Sequence, residues 1–246
     1  MINQGFFFEG KTIMRIWDLS PGYLNRQSLL GEHRELHGIV SIIVNKKKGY
    51  SKHPETLRWV GYGWALRMRH QLLAAEMKLR GYSEKSPVRT RAKNSAWPEQ
   101  FIDTPMKQYQ IINDKYQNKE TGRIPIPKNA QELWRQHKYS IMARDVNLYK
   151  EIGPKVSKMK PLDDFSDLAF LFCNVLRQPP KESGLRNALL HMWGYVSEYA
   201  DIDIHDVNTW SLNKLVSHVQ EYALKSNNGY LLESTALSDL SVWVSY

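Results

Sequence analysis

Apolar residues recur along most of the chain at spacings of three and four, which places them on one face of a helix. In the first half this pattern predicts three helices, running from Asn25 to about Val44, from Leu57 to Arg80 and from Gln108 to Tyr116. In the second half it predicts six more, near residues 130–142, 145–157, 163–177, 184–199, 208–225 and 231–243. Asn25 is a residue type that caps helices, and Gly81 is expected to end the second helix.

No apolar–polar alternation is long enough to build a sheet, so the sequence predicts an all-α protein made of two helical domains. The stretch "GRIPIPKNA" contains two prolines and is typical of a linker. We therefore expect a first domain over 14–123, a linker over 124–130 and a second domain over 131–246. Residues 1–13 are expected to be an extension produced by a mis-annotated start, with Met14 as the true first residue.

The composition indicates a folded protein that works in a reducing compartment. The chain of 246 residues has a single cysteine, Cys173, which rules out a disulfide framework. No apolar run is long enough to span a bilayer, and the N-terminus lacks the basic start of a secretory signal. We expect a cytoplasmic protein with no membrane partner.

The positive charge is confined to the first half. The net charge is +9, and residues 1–123 hold 21 Lys and Arg against 11 Asp and Glu, whereas residues 124–246 hold 13 against 14. A basic half joined to a neutral half indicates that the basic half contacts a polyanion such as a nucleic acid. The alternative is a mildly basic protein without such a partner.

Ionisable and amide side chains are concentrated near the start of the chain. A dense polar cluster within 21 residues includes Arg15, Arg26, Gln27, Glu32, Arg34 and Glu35. Glu32 and Glu35 are three residues apart and therefore share a helical face. A carboxylate among arginines is a candidate for catalysis, although a structural ion pair is the more common role of such a group.

Two blocks of the first half resemble the pyrimidine-dimer DNA glycosylase family, which includes the bacteriophage endonuclease V. The first block is "MRIWDLSPGYLNRQSLLGEHRELHGIV", and its shared positions are Arg15, Ile16, Gln27, Leu29, Glu32, Arg34, Glu35 and Leu36. The second block, "LRMRHQLLAAEMKLRGY" at 66–82, matches a later helix of the family. The resemblance covers residues 14 to about 120 and implies a small helical enzyme that acts on double-stranded DNA.

The resemblance also implies a reaction and the residues that carry it. Members of the family cut the glycosidic bond at a pyrimidine dimer and then break the strand, using the N-terminal α-amine to form a Schiff base. Carried over by position, Met14 bears the amine, Glu35 is the catalytic carboxylate, and Arg15, Gln27 and Arg34 bind DNA. Because Arg15 is bulky, we expect Met14 to be retained. No metal or organic cofactor is implied.

The sequence departs from the phage-type pattern at two positions on the first predicted helix. Ser28 stands where that enzyme has a histidine, and Gly38 stands where it has an arginine. We expect other cations of the first half to supply phosphate contacts, namely Lys46, Lys47, Lys48, Arg67 and Arg69. A solvated helix face is the alternative for each of them.

A histidine pair and a group of aromatic residues are two further candidates for function in the first half. His33 and His37 have the spacing of a metal pair, but no third ligand suggests itself, so no metal site is predicted. Trp59, Tyr62 and Trp64 are candidates for stacking on unpaired bases, although Trp64 lies on the apolar stripe and favours core packing.

The second half resembles the YbgA-like family of undefined function. The shared positions lie in "ELWRQHKYSIMARDVNLYKEIGP" and "NALLHMWGYVSEYADID". His137 with Tyr139, and His191 with Tyr195, are candidates for a polar pocket between helices, with ordinary core packing as the alternative. We expect this half to be an accessory or dimerisation domain.

The leading hypothesis from sequence is a base excision repair glycosylase with abasic-site lyase activity. Its partner would be double-stranded DNA that contains UV-induced pyrimidine dimers or abasic sites, and it would associate with the nucleoid when acting. Two alternatives stay open. One is a nucleic-acid-binding protein without catalysis, and the other is an enzyme of nucleobase metabolism centred on the second half.

Overall fold

The computed structural model describes residues 14–91, 95–200 and 204–244, so the predicted extension over 1–13 lies outside the described residues. Over these ranges the chain forms helices and no strand, which confirms the all-α prediction. The helices are α1 (Arg26–Val44), α2 (Pro54–Arg58), α3 (Gly63–Leu79), α4 (Pro105–Lys115), α5 (Ala130–Arg144), α6 (Val146–Lys158), α7 (Ser166–Leu176), α8 (Glu182–Trp193), α9 (Ile204–Thr209), α10 (Leu212–Lys225), α11 (Gly229–Leu232) and α12 (Ala236–Trp243).

Helix α1 begins where its capping residue predicts. The side chain of Asn25 accepts a hydrogen bond of 2.9 Å from the backbone N–H of Ser28, which satisfies one of the free donors of the first turn. Leu29, Leu36 and Ile39 are fully buried and form the apolar stripe of the helix. The opposite face is left to polar side chains and glycines.

The single helix predicted over 57–80 is wrong, because the chain forms α2 and α3 with a turn between them. Gly61 takes a φ of +88°, a conformation that a helix excludes and that glycine adopts without steric cost. Trp59 folds into the core beside this turn and donates from Nε1 to Glu55 at 2.8 Å. Helix α3 ends before Gly81, as predicted.

Two predicted helices of the second half are also interrupted. The one over 208–225 is split into α9 and α10, because Ser211 caps a new helix by accepting from the N–H of Lys214 at 3.2 Å. The one over 231–243 is split into α11 and α12. Between them the N–H of Thr235 donates to the carbonyl of Gln136 at 2.8 Å, a tertiary bond that apolar spacing does not indicate.

The two halves pack against each other through buried polar contacts. Helix α3 lies against α12, and α4 lies against α7. Glu76 is fully buried on α3 and accepts from Arg80 and Arg123, while Arg123 also donates to the carbonyl of Ser234 at 3.2 Å. Side chains from both halves thus share one core, and the boundaries at 123 and 131 stay a prediction.

Among the helices that the structure describes, none combines the length and apolar character that crossing a membrane requires.

Candidate functional site

Residues 14–20 form an extended segment that lies along α1. Two backbone N–H groups, two residues apart, donate to two carboxylates of that helix. Arg15 N–H donates to Glu35 Oε2 at 2.7 Å, and Trp17 N–H donates to Glu32 Oε1 at 3.2 Å. Because Met14 directly precedes Arg15, its backbone nitrogen is within one residue, about 3.6 Å of chain, of the N–H that binds Glu35. The structure therefore brings Met14 and Glu35 together.

The Glu35 carboxylate is half-buried among cationic groups. Burial raises the pKa of Glu35 above its ordinary value, against the opposing effects of the Arg15 N–H and of Lys115 and Arg34. Burial also lowers the pKa of the Lys115 ammonium, which Glu35 partly restores. Lys115 was missed by the sequence analysis, because it lies on α4, 80 positions after Glu35, and no local pattern connects the two.

The second carboxylate, Glu32, has a structural partner. Arg69 donates to it from Nε at 2.6 Å and from a terminal nitrogen at 2.8 Å, and also donates to the carbonyl of Leu19 at 2.7 Å. Both side chains are almost fully buried. The prediction that Arg69 contacts phosphate is therefore not supported. Its guanidinium is enclosed by Glu32 and Leu19, and its role is to hold the segment 14–20 on α1.

Arg15 is half-buried and already paired. Its guanidinium forms an ion pair with Asp103 and lies 4.6 Å from the ring centroid of Trp17. Burial lowers the pKa of Arg15 from its ordinary value, although the group stays a cation. A phosphate would therefore have to compete with Asp103 for Arg15.

Asp18 connects the segment 14–20 to both halves of the protein. Its carboxylate accepts from Arg58, from Gln108 at 2.8 Å and from Arg177 at 2.6 Å. The thiol of Cys173 donates to the backbone carbonyl of Asp18 at 3.3 Å. None of these roles was predicted, because the partners come from helices distant in sequence.

Glu55 is a second titratable group that the sequence analysis missed. It is 1 % exposed and accepts from Arg58 at 3.2 Å and from Trp59 Nε1 at 2.8 Å. Burial raises the pKa of Glu55 to about 7, and the nearby Arg58 only partly offsets this effect. Its partners indicate that it positions α2 beside the segment 14–20.

The other predicted DNA-binding residues differ in accessibility. Exposed side chains are available at Gln27, Arg34, Lys46, Lys47 and Lys48. Arg67 is partly buried and donates to the carbonyl of Thr90 at 2.6 Å. Gln27 and Arg34 are seven residues apart on α1 and therefore share a face with Gly31 and Gly38. A Cβ added at either glycine would meet nothing within 4 Å, so this face of α1 is open and smooth.

Replacing Gly38 by alanine is expected to stabilise the free protein by about 0.5–1 kcal/mol, because a mid-helix glycine loses more backbone entropy on folding. Urea unfolding measures the change. The control is Gly122→Ala, where the new Cβ would lie 2.4 Å from the backbone of Tyr23 and should destabilise the protein. A destabilised Gly38→Ala protein would show that this face is not open.

The three predicted base-stacking aromatics are mostly core residues. Trp59 and Trp64 are 1 % and 3 % exposed, and both pack against Trp97 at centroid distances of 6.3 and 6.1 Å. Tyr62 is only partly buried. Core packing of Trp64 is therefore the role that the structure supports.

The comparisons with known proteins match one segment in each half of the chain. Residues 14–90 match the family model of pyrimidine dimer DNA glycosylase. Residues 138–239 match the model of a family described as a protein of unknown function, DUF1722, which is the YbgA-like family. Both resemblances seen in the sequence are confirmed. Comparisons with curated proteins and with solved structures give no match.

The match makes DNA the expected substrate of the first half. The matched residues 14–90, referred to as the glycosylase segment, contain Met14, Glu35 and the open face of α1. Lys115 and Asp103 lie outside the matched residues. The C-terminal partners of Asp18 lie inside the segment of unknown function. Part of the surroundings of Glu35 is therefore contributed by residues that the glycosylase model does not cover.

The four residues proposed for a C-terminal pocket do not form one group, although two of them, Tyr139 and Tyr195, are in contact. His137 is buried and stacks on Tyr23 at a centroid distance of 5.8 Å, with a pKa lowered to about 4 by burial. Tyr139 lies at 6.3 Å from Tyr195. His191 is exposed. The pocket interpretation is therefore wrong for His191, and core packing accounts for His137.

The interpretation that His33 and His37 lack a third ligand is also wrong. Within the glycosylase segment, His70 on α3 and Glu84 after it lie beside them. One ligand atom from each of the four lies within 4.8 Å of the others. Sequence spacing could not show this cluster, because its members come from three separate parts of the chain.

Proposed function

We propose that the first half is a DNA repair glycosylase with abasic-site lyase activity on UV-induced pyrimidine dimers, acting through a Schiff base on the α-amine of Met14. The observation that carries the proposal is the contact of the Glu35 carboxylate with the N–H of Arg15. It lies at the start of the segment that matches the glycosylase family. In a chain beginning at Met14, the α-amine would be one residue from the N–H that binds the Glu35 carboxylate.

An α-amine suits this chemistry because of its pKa. It titrates near 7.7–8.0, whereas a lysine titrates near 10.4, so at pH 7.5 about a third of α-amines are neutral against about 0.1 % of lysines. Only the neutral form has a free electron pair for attack on carbon. Lys115 is the nearest rival, because burial lowers the pKa of its ammonium.

The reaction we propose has two stages. The amine attacks C1′ of the deoxyribose, the C1′–N bond breaks, and the base leaves with its electrons and takes up a proton. The attacking nitrogen then loses a proton, and the C1′–O4′ bond breaks with O4′ taking up a proton, which opens the sugar ring and gives the imine. Removal of a proton from C2′ then expels the 3′-phosphate, and water hydrolyses the imine and frees the amine. Glu35 stabilises the positive sugar and transfers these protons.

Burial raises the pKa of Glu35, which is the direction expected for a carboxylate that gives and takes protons in a reaction. The cations Arg34 and Lys115 nearby supply the attraction for a phosphate backbone. The smooth face around Gly31 and Gly38 lets that backbone approach α1 closely. Gln27, Arg34 and the three lysines at 46–48 are the exposed groups that would contact the DNA.

Borohydride trapping tests the proposal, because borohydride reduces an imine to a stable amine. The protein beginning at Met14 is incubated with a duplex containing one abasic site, and in parallel with a duplex containing one pyrimidine dimer. We expect one covalent protein–DNA adduct from each, and none from undamaged DNA. Peptide mapping by mass spectrometry is expected to place the link on the amine of Met14.

The controls separate the parts of the proposal. Acetylation of the α-amine should abolish the adduct, and Lys115→Arg should retain it. A link on Lys115 would overturn the role of Met14, whereas salt-dependent binding without any adduct would support the non-catalytic alternative. An adduct with abasic DNA alone would support the lyase activity and would contradict the proposed action on pyrimidine dimers.

A further inference from the structure

Four potential metal ligands converge at a site that the proposed reaction does not use. His33 and His37 lie on α1, His70 lies on α3, and Glu84 lies in the segment that follows α3. The Nε2 atoms of His33 and His70 are 3.2 Å apart. Glu84 Oε1 is 3.8 Å from the first of these nitrogens and 3.7 Å from the second.

We propose that His33, His37, His70 and Glu84 bind one divalent transition-metal ion, with Zn²⁺ as the ion that the ligand set favours. Three imidazoles and a carboxylate suit Zn²⁺, which binds four such ligands in a tetrahedron at about 2.0–2.2 Å. Neighbouring ligand atoms of that tetrahedron are about 3.3–3.5 Å apart. The separations among His33, His70 and Glu84, 3.2–3.8 Å, are close to these edges, and the ligand atoms of all four residues lie within 4.8 Å of one another.

Ordinary packing explains the cluster poorly. The Nε2 atoms of His33 and His70 face each other at 3.2 Å. When both rings are neutral, at most one of these two nitrogens can carry a proton that points at the other. His37 completes a triangle, with ring centroids 4.7 Å from His33 and 5.0 Å from His70. A salt bridge to Glu84 would require a protonated ring. A metal ion satisfies these nitrogens in their neutral form, which is the form that binds metals.

A second layer of contacts holds the ligands. Ser86 Oγ donates to Glu84 Oε1 at 2.8 Å and lies 3.2 Å from His37 Nε2. Such outer contacts orient metal ligands. His70 is almost fully buried, and the other three ligands are partly buried, so water has limited access.

The role that follows is structural. Four protein ligands fill a tetrahedral site and leave no open position for a substrate. His33 and Glu35 are two residues apart on α1, a rotation of about 200°, so the metal would lie on the side of the helix away from Glu35. Two of the ligands, His33 and His70, directly follow Glu32 and Arg69 in the sequence. Glu32 and Arg69 hold the segment 14–20. The ion would thus fix α1, α3 and Glu84 behind the proposed active site.

The test is metal binding by the tag-free full chain, which does not depend on catalysis. Chelator-treated protein is titrated with Zn²⁺ by calorimetry and with Co²⁺ by visible absorption. We expect one ion per chain, and the intense absorption of tetrahedral Co²⁺. At a free concentration about 100 times the dissociation constant, Zn²⁺ should raise the melting temperature by about 5–10 °C.

Single variants assign the ligands. His70→Gln and Glu84→Gln are each expected to weaken Zn²⁺ binding by about 100-fold or more, because even outer contacts of a metal site are worth 10–100-fold. Glu84 is only partly buried, so its variant keeps the test valid if His70→Gln does not fold. The matched control, His191→Gln, changes an exposed histidine and should bind Zn²⁺ like the unaltered chain.

Three results would overturn the proposal. They are a stoichiometry well below one, a Co²⁺ spectrum of octahedral type, or equal affinities for the unaltered chain and the Glu84→Gln variant. Each would leave the cluster as a hydrogen-bonded group without a metal.

Discussion

Replacing Glu35 by glutamine is expected to slow strand cleavage at an abasic site by a factor of about 10²–10⁴, the usual contribution of a positioned acid–base group. Glutamine keeps the shape and can still accept from the N–H of Arg15, but it cannot take up a proton or stabilise the sugar by charge. Single-turnover cleavage of an abasic duplex measures the loss. Binding of the duplex should change far less, because Glu35 contributes no positive charge.

The matched control for this variant is Glu99→Gln, which removes the same charge from an exposed position. It should cleave at the original rate. The pH profile adds a second readout, since the limb that reports ionisation of Glu35 should disappear in Glu35→Gln. If Glu35→Gln cleaves as fast as the Glu99→Gln protein, the catalytic role of Glu35 is wrong.

Replacing Glu76 by glutamine is expected to destabilise the protein by about 3–5 kcal/mol, the range for removing one partner of a buried ion pair. Glu76 is 0 % exposed and accepts from Arg80 and Arg123 at 2.7 Å each. Glutamine would leave two partly buried guanidinium groups without this counter-charge. Urea unfolding at pH 7 measures the difference through its midpoint.

The surface pair Glu151–Lys155 is the control, because both side chains are more than half exposed. Glu151→Gln should change stability by no more than about 0.5 kcal/mol. A loss below about 1 kcal/mol for Glu76→Gln would contradict the idea that Glu76 joins the halves.

The effect of Glu76 should also depend on pH. Burial opposes its ionisation, but Arg123 and Arg80 outweigh burial and lower the pKa of Glu76 to about 2, from 4.5 for the free side chain. Its stabilisation is therefore complete above about pH 4.5 and is lost as the pH falls toward 2. The stability difference between the unaltered chain and Glu76→Gln should shrink across that window.

The parts of the fold that follow local rules were predictable from the sequence. Helix α1 has a capping asparagine and a regular apolar stripe, and it forms between the predicted ends. The predicted helix over 57–80 failed at Gly61, whose φ is +88°, beside the buried Trp59. The break near residue 235 has a tertiary cause, the bond from Thr235 to Gln136, whereas the break near residue 210 coincides with a local cap at Ser211.

The candidate site was also predictable from the sequence only in part. The resemblance located Glu35 and Met14, because their spacing is carried by a continuous stretch of sequence. It did not locate Lys115, or the third and fourth ligands of the histidine cluster, because these lie on other elements that only the fold brings near α1. For Arg69 the sequence predicted a contact with phosphate at the surface. The structure instead places it in a buried ion pair with Glu32.

The contacts of Asp18 give the second half a role that its family description does not contain. Arg177 and Cys173 bind Asp18, four residues after Met14, so the position of the segment 14–20 depends on α7 and the residue after it. Natural variation at those two positions would therefore alter the geometry around residue 14 without touching DNA. A substitution at Asp18 would in the same way remove contacts of the second half. The two matched segments are therefore expected to constrain each other's substitutions.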